Sequence, residues 1–172
     1  MKYIILLLLI PCPAFANFNH QYKHPNIIIF RGDAEFNAEE RLDIKEALIG
    51  WEQDLLWFSK TQIHLGIVFE RAEKRNWDKD KIPTIYKADR GWKHKVGSSL
   101  CDDDLVCSNI KSGDVFIFGT GHIGLPLVVR HGVGHILLKS SKHSKNKYSV
   151  MFHTIGGLIT DEDLEAIERA WK

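Results

Sequence analysis

A chain of 172 residues with 44% hydrophobic side chains is long enough to bury the core of one domain. Its 23 basic and 22 acidic residues leave a formal net charge of +1, which gives no electrostatic reason to expect a nucleic acid or an anionic membrane as partner. No repeat or low-complexity tract is present, so nothing supports a solenoid.

Residues 1–16 read as a secretory signal peptide. Lys2 supplies the positive end, Ile4 to Ile10 the apolar stretch, and Ala14-Phe15-Ala16 a small-x-small cleavage site before Asn17. The apolar run is too short to span a bilayer, so residues 17–172 are expected as one secreted or periplasmic domain without a membrane anchor. Cys12 leaves with the signal; the alternative, a lipid anchor on Cys12, is disfavoured by Pro11 just before it. Cys101 and Cys107 then remain, in the segment CDDDLVC. An even pair in an exported chain reads as one disulfide closing a small acidic loop, worth about 2–3 kcal/mol by chain entropy. The alternative is a thiolate metal site, which this spacing in an oxidising compartment argues against.

In chain order, residues 17–26 form a polar arm whose His20 and His24 lack any helical context. Ile27 to Phe30 reads as a buried strand stopped by Gly32 and Asp33. Asn37 to Phe58 reads as a helix, with Asn37 and Glu40 in a capping box. Ile44, Ala47, Leu48, Trp51, Leu55 and Phe58 form its apolar face, while Glu39, Arg41, Asp43, Lys45 and Glu46 read as solvated. Ile63 to Phe69 is a second strand, with His64 incidental to it. Ile82 to Tyr86 is a third, and Pro83 places it at a sheet edge or puts Pro83 among its first residues. Residues 89–99 carry turn chemistry and no firm element. Asp114 to Phe118 is a fourth strand, closed by Gly119, Gly121 and Gly124.

Leu125 opens a second helix, with Pro126 in its first turn and an end near Lys139 to Ser141. His131 and His135 stand four apart within it, and residues at that spacing project from one face. The bland alternative is a pair of histidines packed into an amphipathic helix. A later histidine, His143, can complete a three-nitrogen site with an open position for water or substrate. Val150-Met151-Phe152 and the Gly156-Gly157 turn follow, and Thr160 with Asp163 caps a last helix that buries Leu164, Ile167 and Trp171. The fold class is α+β with a small mixed sheet.

These residues resemble the matrixin branch of the metzincin zinc peptidases, over nearly all of the mature chain. That family carries the signature HExxHxxGxxH followed by a tight turn bearing a methionine beneath the metal. His131, Val133-Gly134 and His135 match its first half, and His143-Ser144 matches the third ligand and the serine that often follows it. Val150-Met151 matches the methionine turn, Asp114 to Phe118 the strand upstream of the metal helix, and Leu158 through Ile167 the closing helix. The resemblance implies a small mixed twisted sheet with a backing helix, a metal-bearing helix and a C-terminal helix. It also implies Zn²⁺ on His131, His135 and His143, the turn at Met151, a monomer, and a peptide or protein as substrate or ligand.

The chain departs from the pattern twice. His143 lies eight residues after His135 where the family has six, Ser141 holds the usual place, and the family's glycine is replaced by Leu138 or a neighbour. A two-residue insertion accounts for this, because the distance from His143 to Met151 is kept. Gly132 stands where the family has its general base, a glutamate that takes a proton from the metal's water and gives it to the leaving amine. Losing a positioned base costs about 10²–10⁴-fold in rate. His122 or His153 would have to serve instead, whereas Glu162 and Glu165 are explained by their place at a helix start. Hydrolysis of peptide bonds, impaired or absent, is the function the resemblance implies. The alternative is a non-catalytic relative that binds zinc or a peptide.

Overall fold

The computed structural model describes residues 27–58, 63–70, 82–89 and 105–172. Residues 1–26, which hold the expected signal segment and the arm with His20 and His24, and Cys101 lie outside the described residues. Five strands and three helices follow one another as β1 (Ile27–Asp33), α1 (Ala38–Phe58), β2 (His64–Glu70), β3 (Thr84–Lys87), β4 (Val106–Asn109), β5 (Asp114–Ile117), α2 (Leu125–Leu138) and α3 (Asp161–Trp171).

The strands make one mixed sheet in the order β2-β1-β3-β5-β4. The β1–β2, β1–β3 and β3–β5 pairs are parallel, and β4 closes one edge antiparallel to β5, with Val106 opposite Ile117 and Ser108 opposite Val115. The fold is thus α+β. Two expectations change, and one pair of alternatives is decided. β1 runs on through Gly32 and Asp33, because both pair with β2 and Gly32 also pairs with Ile85 of β3. Pro83 does not mark an edge: it precedes β3, which lies between β1 and β5, and its carbonyl accepts the Arg31 N–H at 2.8 Å. β4 was not expected at all, its pairing having been hidden by the short, polar sequence Val106-Cys107-Ser108-Asn109.

Strand alternation sorts the sheet into two faces. Ile28, Phe30, Ile85, Val106, Val115 and Ile117 enter the main core, together with Ile44, Ala47, Leu48, Trp51 and Leu55 of α1 and Val128, Val133, Ile136 and Leu137 of α2. Tyr86, Ala88, Cys107 and Phe116 form a smaller cluster on the other face, with the Tyr86 and Phe116 rings stacked at 5.0 Å. Both long helices therefore cover one side of the sheet. Phe58, expected on the buried face of α1, is 41% exposed, since the helix runs past the sheet there.

Local chemistry explains the helix ends. Asn37 Oδ1 accepts the Glu40 N–H at 3.0 Å while Glu40 Oε2 accepts the Asn37 N–H at 2.8 Å, a reciprocal capping box. Arg41 does more than face solvent: it donates from Nε to Phe36 O and from Nη2 to Ala34 O, tying the β1–α1 turn to the helix. In α2, Gly124 is the N-cap at φ 89° with Pro126 in the first turn, and Lys139 ends the helix in the left-handed region at φ 51°.

Candidate metal centre

α2 is pinned in the middle of the core before it offers any chemistry. Trp51 of α1 is fully buried and its indole N–H donates to Arg130 O at 2.9 Å, fixing the helix one residue before His131. On the sheet side, the Ser108 hydroxyl of β4 donates to Gly132 O at 2.9 Å. The same helix is held at its far end by the Trp171 indole of α3, which donates to Leu137 O at 2.6 Å.

Two glycines set how closely the neighbours approach. A Cβ at Gly132 would lie 2.5 Å from Val115 Cγ1 and 2.8 Å from Val106 Cγ2, closer than real side chains tolerate. The space beside position 132 is thus filled, from the sheet side, by two valines. At Gly134 a Cβ would run into Met151 Sδ and lie 3.0 Å from Trp51 Cζ2. Absence of a side chain at 134 is what lets the methionine turn press against the helix.

His131 is 1% exposed and His135 5%. The chain reverses after Lys139, with Lys139 N–H on Ile136 O and Ser140 N–H on His135 O, both at 3.2 Å. The turn is therefore made by a lysine in the left-handed region rather than by a glycine. Ser140 Oγ then accepts the Lys142 N–H at 3.1 Å, and Met151 O accepts the Ser144 N–H at 2.9 Å, so both sides of His143 are fixed. These turns deliver His143 to the same place as the other two rings. One ligand nitrogen from each of His131, His135 and His143 lies within 4.8 Å of the others.

The hydrogen bonds fix which nitrogens face inward. His131 Nδ1 lies 2.6 Å from Val150 O and His135 Nδ1 lies 2.8 Å from Ser140 O. A carbonyl can only accept, so both Nδ1 atoms carry the proton and both Nε2 atoms present lone pairs. Burial first, and the adjoining His135 ring second, pushes the His131 pKa down to about 3, so its ring is neutral. Yet His131 Nε2 stands 3.1 Å from His135 Nε2 and 3.3 Å from His143 Nε2. The His131 and His135 lone pairs, aimed at each other at 3.1 Å, repel unless a cation lies between them. With Zn–N bonds of about 2.0–2.1 Å, a tetrahedral ion separates its nitrogens by about 3.3–3.4 Å, close to the spacing found. The donor set fits a metal ion.

Among the described residues, the other histidines stand apart from this triad. His64 is exposed and bonds Glu52 at 2.9 Å; His122 and His153 are exposed, and His153 rests on Phe152 with ring centroids 4.2 Å apart. Glu162 and Glu165 are exposed on α3. Cys107 is disulfide-bonded.

One connection was not legible beforehand. Asp163 of α3, 3% exposed, accepts the Thr160 N–H and hydroxyl at 2.9 Å each and the Ser149 hydroxyl at 2.7 and 2.8 Å. Ser149 Oγ in turn accepts the Met151 N–H at 2.8 Å. The C-terminal helix therefore holds the turn whose Val150 carbonyl orients His131. Sequence spacing gives Asp163 a capping role; only its burial against Ser149 reveals the second one.

No family model matches this sequence, and no curated protein matches it.

Proposed function

We propose that this chain is an exported, matrixin-like zinc protein that binds peptides in a metal-bearing cleft and cleaves them slowly or not at all. The mixed sheet, the backing helix α1, the metal helix α2 and the closing helix α3 are the parts the metzincin resemblance calls for. The convergence of three Nε2 atoms, two of them on rings whose Nδ1 faces a backbone carbonyl, supports Zn²⁺ on His131, His135 and His143.

The observation that favours a binding protein over a peptidase is the packing at Gly132. Zinc supplies a Lewis acid that polarises a carbonyl and lowers the pKa of water. The chain's own part would be to orient the rings through Val150 O and Ser140 O, exclude water behind Met151, and move a proton. Among the described residues, none at the site is placed for that last task. Position 132 carries no carboxylate, Val106 and Val115 occupy the space one would enter, and Asp163 is committed to Thr160 and Ser149.

Two measurements on the mature chain test this reading. Elemental analysis should find one zinc per chain, lost in His131→Ala; a protein without stoichiometric zinc overturns the metal assignment. A broad quenched-peptide library should show turnover near background. Cleavage at about 1 s⁻¹ or faster, the ordinary range of enzymes, overturns the non-catalytic assignment.

A further inference from the structure

The segment that builds the site has an unusual charge pattern. From Val115 through Thr160 there is not one Asp or Glu, although the chain holds 22 of them. The same stretch carries Arg130, Lys139, Lys142, Lys145 and Lys147. On α3, by contrast, acids and bases pair, as in Arg169 with Glu165 and Glu168 with Lys172 just after the helix. A solvated face of the ordinary kind mixes its signs. This one does not.

Three of the lysines sit on the loop that delivers His143. Lys142 and Lys145 bracket it and Lys147 follows, and all three are exposed while the His143 ring turns inward. No carboxylate among the described residues pairs with any of them, and Lys147 Nζ lies only over the Tyr148 ring at 5.0 Å. The loop is held in shape by its own short hydrogen bonds: Ser144 Oγ accepts the Asn146 N–H at 3.0 Å, Asn146 Oδ1 the Tyr148 N–H at 3.1 Å, and Asn146 O the Ser149 N–H at 3.0 Å. The charges therefore stand at fixed places on the rim. Within the site, three neutral imidazoles leave a divalent ion's charge uncompensated, and Gly132 removes the carboxylate that would otherwise have offset part of it.

We propose that the His143 loop and the tri-histidine site together form a receptor for a carboxylate-bearing peptide, with Lys142, Lys145 and Lys147 gathering its acidic groups around the mouth of the site. This rests on the metal-cleft reading above and specifies its ligand class. An acidic peptide fits better than a nucleic acid or a lipid surface. The patch is one short loop whose charged residues are lysines only, it carries His143 of the tri-histidine site, and the whole chain is nearly neutral.

The test uses two fluorescein-labelled decapeptides, one with four Asp or Glu and a free carboxyl terminus, the other Ser/Gln-rich and amidated. Anisotropy is measured with the zinc-loaded and the zinc-free mature chain. The acidic peptide should bind about tenfold tighter, and the difference should shrink as salt rises. Replacing the rim by Lys142→Glu, Lys145→Glu and Lys147→Glu together should abolish the preference, while arginine at the same three positions should keep it. Equal binding of both peptides, or a preference untouched by charge reversal, overturns the proposal. So does tighter binding of a labelled thymidine decanucleotide, or of phosphatidylserine vesicles, than of the acidic peptide. A preference seen equally without zinc keeps the lysines as the receptor and removes the metal from it. Zinc content, measured separately, shows whether the metal reading itself has failed.

Discussion

Gly132 poses the sharpest question at the scale of single residues, because two effects compete there. Alanine is worth about 1 kcal/mol more than glycine inside a helix. Its Cβ would meet Val115 and Val106 at 2.5 and 2.8 Å, and overpacking of a fixed core costs about 1–3 kcal/mol. Packing should win: Gly132→Ala should lower stability in denaturant melts, and adding Val115→Ala should return much of the loss, a coupling a double-mutant cycle would read. A neutral Gly132→Ala would mean the valines do not close the site. For the same reason Gly132→Glu alone should not create a peptidase, since the side chain has no room until the valines are cut back. His131 carries a second prediction. Its folded-state pKa of about 3 lies below the ordinary value of 6.5, so between those two values only the unfolded chain holds the proton. The metal-free protein should therefore be fully stabilised by this group above about pH 6.5 and lose stability on acidification toward pH 3. Each unit over which the two states differ is worth about 1.4 kcal/mol. Thermal melts in chelator at graded pH would check both sign and window.

At the scale of elements, α3 acts on the site without touching it. Asp163 holds Ser149, Ser149 holds the Met151 N–H, and Val150 O between them takes the His131 proton. Partners that orient a metal-binding histidine typically matter by about 10–100-fold in affinity. Ser149→Ala should accordingly weaken zinc binding in a competitive chelator titration by about tenfold, with a modest loss of stability. If affinity holds while stability falls, Ser149 serves the fold alone. The same elements show how far a sequence can be read. Both capping boxes, at Asn37 and Thr160, were visible as residue pairs three apart, because a cap is a local bond between a side chain and nearby backbone. The core face of α1 from Ile44 to Leu55 followed from 3.6-residue periodicity in the same way. β4 escaped because a four-residue strand is defined by its partner. Nothing local in Val106 to Asn109 announces Ile117, Phe116, Val115 and Asp114 across the ladder. For Pro83 the second of its two alternatives holds, a place at the start of the strand. Proline blocks a ladder only where its own N–H is required, and here it stands just ahead of β3 and contributes its carbonyl.

For the molecule as a whole, α1, the sheet and α2 share one core, so the metal site and the fold should be thermodynamically linked. A ligand that binds only the folded state at 100 times its dissociation constant adds about 2.7 kcal/mol. Zinc should raise the melting temperature of the mature chain, and chelator should reverse the rise; in His135→Ala the shift should vanish. The sequence by itself determined the candidate ligands, the helix that carries two of them, the caps and the missing glutamate, all of which are matters of residue type and short spacing. It also held, unread, an acid-free stretch from Val115 to Thr160 that gained meaning only when that stretch proved to wrap one site. Only the tertiary structure decided that His143, eight residues beyond His135, reaches the other two rings. It also decided that their Nδ1 protons are taken by backbone carbonyls, leaving the lone pairs to converge. And it decided that Gly132 is a filled position rather than a vacancy. Those three outcomes depend on residues far apart in the chain, Val150 against His131 and Val106 and Val115 against Gly132, and contacts of that kind are fixed by packing, which no local pattern encodes.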